Sequence, residues 1–269
     1  MPLNPADVAA LADALWQADQ TRVPIPALTS TRQDLDINDA YAIQSHNIAR
    51  RVDAGAVVNG RKVGLTSAPM QQLLGVSEPD YGVLVDDMFV DDGDLIDLHR
   101  LVQPRVEAEM AFVMERDLTG PGVTVANALT AVAGVLPAIE VVDSRVADWK
   151  IKLVDTVADN ASSGLLVLGG RIRKVSDIDL RLVGMELTRN GALVDTGAGA
   201  AALGNPARCV AWLANKLAAF GVGLRAGDVV LPGAVHRMVG VTPGDVFRAD
   251  FAHLGAVTAR FSSRTKEAA

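Results

Sequence analysis

The hydrophobic period of the sequence changes near residue 80, and this change limits the possible folds most. Before it, apolar residues recur at helical spacing, as in Val8, Leu11 and Leu15. After it, apolar and polar residues alternate, as expected for strands with one buried face. The regular alternation of strand and helix that builds a Rossmann sheet is missing. The pattern predicts an α+β chain, with a helical N-terminal region over residues 1–75 and a β-rich body over residues 76–269.

Capping and turn residues place the individual elements. Cap-like residues predict helices that start at Asn4, Asp36, Ser67 and Asn205, and glycines are expected to end the last three at Gly55, Gly75 and Gly221. A loop is expected over residues 21–33, and Asn190-Gly191 predicts a type I′ hairpin turn. The expected strands cover residues 101–114, 138–142, 164–168, 182–188, 192–196, 229–231, 239–241, 246–251 and 257–261.

Charge and composition exclude several classes of function. The net charge of −7 and the absence of a basic face argue against nucleic acid as a partner. No apolar run is long enough to span a membrane, and the N-terminus lacks a secretion signal, so a soluble cytoplasmic protein is expected. Cys209 is the only cysteine, which excludes an intrachain disulfide and a cysteine-based zinc site. No glycine pattern fits a nucleotide-binding loop.

Three glutamates lie in segments that otherwise read as buried strands. Glu107 and Glu109 share one face of a strand whose other face is apolar, and Glu140 is flanked by Ile and Val. Carboxylates in such places repel one another and lose hydration unless a cation lies between them. Three oxygen donors without Cys or His nearby are typical of a Mg²⁺ or Mn²⁺ site.

Simpler interpretations remain open for two of these glutamates and for two further charged residues. Glu107 and Glu109 can form a solvated strand face neutralised by Arg105, since antiparallel sheets commonly have one wet face. Lys62, in a glycine-rich strand, is either a surface residue or a group that orients an anionic substrate or transfers protons. Asp80 is either a turn residue or an acid at the site.

Six segments in order resemble the 2-keto-4-pentenoate hydratase family of the fumarylacetoacetate hydrolase superfamily. The resemblance runs nearly end to end and is specific in the order and spacing of these segments. They are Arg61-Lys-Val-Gly-Leu-Thr, Glu78-Pro-Asp-Tyr-Gly, Gln103-Pro-Arg-Val-Glu-Ala-Glu, Leu136-Pro-Ala-Ile-Glu-Val-Val-Asp-Ser-Arg, Val157-Ala-Asp-Asn-Ala-Ser and Leu203-Gly-Asn-Pro.

The resemblance implies a set of site residues on a fumarylacetoacetate-hydrolase-like catalytic body. It implies catalytic roles for Lys62 and Asp80 and a substrate pocket that includes Ser162, Gly64, Leu65 and Arg237. It also implies that Glu107, Glu109 and Glu140 hold Mg²⁺ or Mn²⁺. The loop that contains His236 and Arg237 departs from the pattern of the pentenoate enzymes, so these two residues either meet a second substrate carboxylate or face solvent.

The activity implied is metal-dependent hydration of a 2-hydroxy-2,4-dienoate to a 4-hydroxy-2-oxo acid in the meta-cleavage catabolism of aromatic compounds. The family further implies a homo-oligomer built on pentamers and an aldolase that acts on the product. The partner is then a small 2-oxo or 2-hydroxydienoic acid.

Three alternatives stay open. A 2-oxo-3-hexenedioate (4-oxalocrotonate) decarboxylase shares the implied metal site; it lacks an acid at the position of Asp80, but the segment from Asp195 to Gly204 resembles it equally well. Hydrolytic C–C cleavage needs a His–Glu pair, for which His46 and His99 have no evident partner. The third alternative is a non-catalytic binding or scaffold protein. The presence of Lys62, Asp80 and all three glutamates argues against it.

Overall fold

The computed structural model describes residues 2–67, 71–72 and 76–263. Among its helices, the first and third in chain order pack on each other near the N-terminus, and the last three lie between strands. The helices are α1 Pro5–Thr21, α2 Leu28–Thr31, α3 Ile37–Asp53, α4 Val125–Ala131, α5 Leu153–Ala158 and α6 Pro206–Ala218.

The strands form two sheets that share the larger apolar core. Sheet 1 has the order β2-β1-β10-β5-β6-β7-β3, with β11 also paired to β5, and sheet 2 has the order β4-β13-β12-β8-β9. The strands are β1 Val58–Gly64, β2 Asp80–Val85, β3 Phe89–Asp91, β4 Leu95–Ile96, β5 Pro104–Met114, β6 Val132–Asp143, β7 Ser163–Leu168, β8 Gly184–Arg189, β9 Ala192–Ala198, β10 Val229–Leu231, β11 Val239–Gly240, β12 Val246–Phe251 and β13 Gly255–Phe261.

The α+β prediction is confirmed. The predicted capping and turn residues act as expected at two helix starts and one hairpin. The Asn4 side chain accepts a hydrogen bond from the Asp7 amide, and Asp36 forms a capping box with Asp39. The hairpin turn at Asn190-Gly191 has positive φ at both residues, as a type I′ turn requires. Helices α2, α4 and α5 were not predicted, because four to seven residues are too few to show a helical period.

The helix expected over Ser67–Gly75 lies largely outside the described residues, as does the expected division of the chain at residue 75. That division stays a prediction, and β1, which precedes it, is a member of sheet 1. Where the structure is described, no helix has the length and apolar character needed to cross a bilayer.

The two faces of β5 differ in chemistry. Its even-numbered residues, such as Val106 and Phe112, enter the larger core between the sheets. Its odd-numbered residues include Ala111 and Val113, which pack in a smaller apolar cluster with Leu136 of β6. The carboxylates of β5 are also odd-numbered, so sheet 1 places its charged residues on the face opposite the main core.

Candidate active site

The three glutamates singled out in the sequence meet on the long β5–β6 pair. Glu107 lies directly opposite Glu140 in the antiparallel register, and Glu109 follows two residues along the same face. Each offers one carboxylate oxygen to a cluster in which these atoms lie within 4.8 Å of one another. Glu109 and Glu140 are each only 1% exposed, whereas Glu107 is half-buried. A solvated strand face is therefore excluded for Glu109.

Lys62 reaches this cluster from β1, which β10 separates from β5 in sheet 1. Its Nζ lies 3.3 Å from Oε1 of Glu140 and donates a hydrogen bond to the Ala161 carbonyl at 3.0 Å. Lys62 is 4% exposed and is therefore not a surface residue. Burial lowers the pKa of Lys62, but the facing carboxylates outweigh burial and hold the pKa above its ordinary value, so the ammonium form persists at neutral pH.

Asp80 begins β2 opposite Gly64 of β1 and is 2% exposed. A Cβ at Gly64 would lie 2.2 Å from Oδ1 of Asp80, so the glycine provides the space that the carboxylate occupies. Burial raises the pKa of Asp80 above its ordinary value, and nearby Lys62 opposes this shift. The turn interpretation of Asp80 is thus replaced by a buried acid beside a lysine.

The pKa shifts of the carboxylates indicate that the cluster has too little positive charge to balance them. Burial raises the pKa of Glu107 to about 7, with Lys62 lowering it and Glu140 raising it. Burial and the two neighbouring glutamates raise the pKa of Glu109 well above its ordinary value, and burial raises that of Glu140. One ammonium does not balance the charge of the surrounding carboxylates.

The arrangement fits a divalent cation. Both carboxylate oxygens of Glu140 are buried and accept no hydrogen bond among the described residues, although the Lys62 ammonium lies at ion-pair distance from Oε1. Such orphaned oxygens are costly, whereas a hard cation coordinated by three carboxylates satisfies them. Glu109 accepts a hydrogen bond from the Gly233 amide at 2.8 Å, which holds one of its oxygens in place.

This charge imbalance predicts how stability varies with pH. In the metal-free protein Glu107 has a folded pKa of about 7, above the value in an unfolded chain, so the folded state binds more protons between about pH 4.5 and 7. The contribution of Glu107 to stability is therefore lost as pH rises through this window, by at most about 1.4 kcal/mol per pH unit. Because Mn²⁺ binds deprotonated carboxylates, the Tm difference between Mn²⁺-loaded and chelated protein should widen from pH 5 to pH 8. Thermal unfolding at both pH values measures it, and a constant or narrowing difference would contradict the assignment.

A left-handed turn holds Ser162 and the carbonyl that contacts Lys62. Asn160, Ala161 and Ser162 all have positive φ, an uncommon run for residues with side chains. The Asn160 side chain exchanges two hydrogen bonds with the backbone of Val83 on β2, at 2.8 and 2.9 Å. Asn160 was not singled out from the sequence, although it lies in one of the segments that carry the family resemblance. Ser162 is 3% exposed, and its hydroxyl lies 3.2 Å from that of Thr156.

A buried arginine supports the same turn. Arg145 donates to the Asp159 carboxylate, and its two terminal nitrogens donate to the carbonyls of Ser163 and Asp159 at 2.8 and 2.7 Å. Arg145→Met leaves the Asp159 carboxylate buried and unpaired and should lower the free energy of unfolding by about 3–5 kcal/mol. Denaturant unfolding measures the change. The double variant Arg145→Met/Asp159→Leu should recover most of the loss; an undiminished loss would contradict the ion-pair explanation.

Of the remaining residues considered in the sequence, Leu65 lies beside the site and Arg237 does not. Leu65 is half-buried next to Gly64 and has a positive φ of 56°. Arg237 is not brought to the cluster, because its side chain is 92% exposed and its Nε lies 3.7 Å from Asp195. The side chain of His236 is fully buried, unlike that of its neighbour, and contacts β5.

Comparison with known proteins identifies the family of the chain. The fumarylacetoacetate (FAA) hydrolase C-terminal family matches residues 52–262. The 2-keto-4-pentenoate hydratase of Paraburkholderia xenovorans (strain LB400) is 52% identical over 252 residues, which cover 94% of each chain. The 2-hydroxyhexa-2,4-dienoate hydratase of Comamonas testosteroni is 41% identical and covers 92% of this chain and 95% of its own.

Among solved structures, the 4-oxalocrotonate decarboxylase from Pseudomonas putida G7, complexed with magnesium and adipate, superposes with a TM-score of 0.92. It is 38% identical, and the superposition covers 96% of this chain and 98% of the decarboxylase. Sequence and fold therefore agree over almost the whole length. The chain belongs to the 2-keto-4-pentenoate hydratase family within the fumarylacetoacetate hydrolase superfamily.

Proposed function

We propose that this protein is a metal-dependent hydratase that converts 2-hydroxy-2,4-dienoates of the 2-keto-4-pentenoate type to 4-hydroxy-2-oxo acids. The observation that carries the proposal is the largely buried cluster of Glu107, Glu109 and Glu140 with Lys62 and Asp80 beside it. The names of the hydratase relatives, at 41–52% identity, supply the substrate class.

The cluster would hold the cation through Glu107, Glu109 and Glu140. When bound, the cation supplies Lewis acidity that polarises the 2-oxo acid end of a substrate. The same residues lie on a face from which water is largely excluded, where charge–charge interactions are stronger than in bulk solvent.

Asp80 is the group proposed to move protons, and Lys62 is the group proposed to stabilise charge. Hydration adds the hydroxyl group of water at C4 and one proton at each of C5 and C3. These two protons balance the one lost by the 2-hydroxyl group and the one lost by the water. Asp80 has a raised pKa and a free oxygen, which suit it to accept a proton and return it. Lys62 stays an ammonium and stabilises negative charge on the substrate oxygens. Ser162, Gly64 and Leu65 would line the substrate.

A decarboxylase is the second candidate, because the magnesium-bound decarboxylase superposes at a TM-score of 0.92. The two activities differ in product, so one experiment separates them. Purified enzyme with Mg²⁺ is given 2-hydroxypenta-2,4-dienoate and, separately, 2-oxo-3-hexenedioate. We expect 4-hydroxy-2-oxopentanoate from the first and no CO₂ from the second. Rapid CO₂ release with no hydration would establish the decarboxylase instead.

Further parts of the proposal concern the ion and the partners. We propose Mg²⁺ or Mn²⁺ as the cation, a homo-oligomer built on pentamers, and an aldolase as the enzyme that consumes the product. Comparing rates after reloading chelated enzyme with each ion tests the first. Light scattering of the purified protein tests the second.

A further inference from the structure

The strand beside β5 is interrupted at the level of the carboxylates. β10 pairs with the C-terminal part of β5, where Val230 lies opposite Phe112, and β11 pairs with the N-terminal part, where Val239 lies opposite Val106. Between β10 and β11, residues 232–238 leave the sheet. Ala108, between Glu107 and Glu109 in sequence, therefore has no strand partner on this side.

Side-chain and loop groups replace the missing strand. The Val235 amide donates to the Ala108 carbonyl at 3.1 Å, and the Ala108 amide donates to Nε2 of His236 at 2.7 Å. The His236 ring is fully buried, with a side-chain exposure of 0%. Both backbone groups of Ala108 are thus satisfied from a loop, the carbonyl by a backbone amide and the amide by an imidazole nitrogen.

The loop is held tightly on two sides. A Cβ at Gly233 would lie 2.0 Å from Oγ1 of Thr66, and one at Gly197 of β9 would lie 2.0 Å from the Val235 carbonyl. These close approaches fix the backbone that leads into His236.

We propose that His236 is a positioning residue, whose Nε2 holds the Ala108 amide and so keeps Glu107 and Glu109 directed at the cation. An acceptor Nε2 requires the neutral ring with its proton on Nδ1. Nδ1 is 4.0 Å from Asp195 and has no hydrogen-bond partner in the described part of the chain, so the contact with Ala108 is the ring's one hydrogen bond there. The inference rests on the proposed metal site.

The test compares two amides of different length at this position. His236→Gln places an amide oxygen near the position of Nε2, whereas the shorter side chain of His236→Asn does not reach Ala108. Titration calorimetry with Mn²⁺ on chelated protein should show affinity within about threefold of wild type for Gln and about 10-fold weaker for Asn and for His236→Leu. His99→Leu, the same change at an exposed histidine, serves as the control and should bind Mn²⁺ as the wild type does.

The outcomes separate positioning from packing. A purely structural role would lower Tm in the Asn and Leu variants while Mn²⁺ affinity at 20 °C stayed unchanged, and that result would overturn the proposal. Equal weakening by Gln and Asn would also overturn it. Mn²⁺ binding by wild-type protein that fails to hydrate a dienoate would refute the proposed function alone and leave this test valid.

Discussion

Glu109→Gln should abolish Mn²⁺-dependent hydration and at the same time raise the Tm of the metal-free protein. The amide oxygen keeps the hydrogen bond from the Gly233 amide, so local geometry is retained. The substitution removes one of three mutually repelling carboxylates, two of which are buried and one half-buried. At pH 8, above the Glu107 pKa of about 7, we expect a gain of about 1 kcal/mol, or about 2–4 °C in Tm.

Loss of a ligand should weaken Mn²⁺ binding by more than about 100-fold, and loss of the Lewis acid should lower kcat by about 10³-fold or more. Calorimetry, thermal unfolding and steady-state rates measure the three effects on one preparation. Glu186→Gln, an isosteric change at an exposed residue of sheet 2, should leave all three near wild type. A Glu109→Gln variant that keeps its metal-dependent rate would refute the ligand assignment.

Asp80→Asn should separate catalysis from metal binding. Asparagine fills the space left by Gly64 but does not accept a proton, so kcat should fall by about 10²–10⁴-fold. Because Asp80 is outside the three-carboxylate cluster, Mn²⁺ affinity should stay within about threefold of wild type. Stopped-flow consumption of the dienoate and Mn²⁺ titration measure the two quantities.

The control for Asp80→Asn is Asp53→Asn, an exposed residue at the end of α3, which should change neither quantity. A parallel loss of rate and Mn²⁺ affinity in Asp80→Asn would show that Asp80 acts on the cation rather than on protons. An unchanged rate would remove Asp80 from the mechanism.

The sequence was most informative where local chemistry decides the structure. Asn4 and Asp36 satisfy the amides at the helix starts whatever the rest of the chain does, so their helices were predictable. Alternation along β5 likewise predicted that Glu107 and Glu109 share a face. That Glu140 lies opposite Glu107 depends on strand register, which becomes visible only in the sheet.

Other parts of the site depend on contacts between distant segments. The left-handed run from Asn160 to Ser162 is held by Val83 and Arg145, neither of which is a neighbour in sequence. The buried position of His236 depends on the break between β10 and β11, which shows in the sequence only as a proline and a glycine. Tertiary contacts of this kind override local propensity.

The most direct measurement follows 2-hydroxypenta-2,4-dienoate by NMR with chelated enzyme and with the same enzyme reloaded with Mn²⁺. Reloaded enzyme should form 4-hydroxy-2-oxopentanoate, and chelated enzyme should leave the dienoate unconverted to that product. Hydration at the same rate in both samples, or no hydration in either, would contradict a metal-dependent hydratase built on Glu107, Glu109 and Glu140.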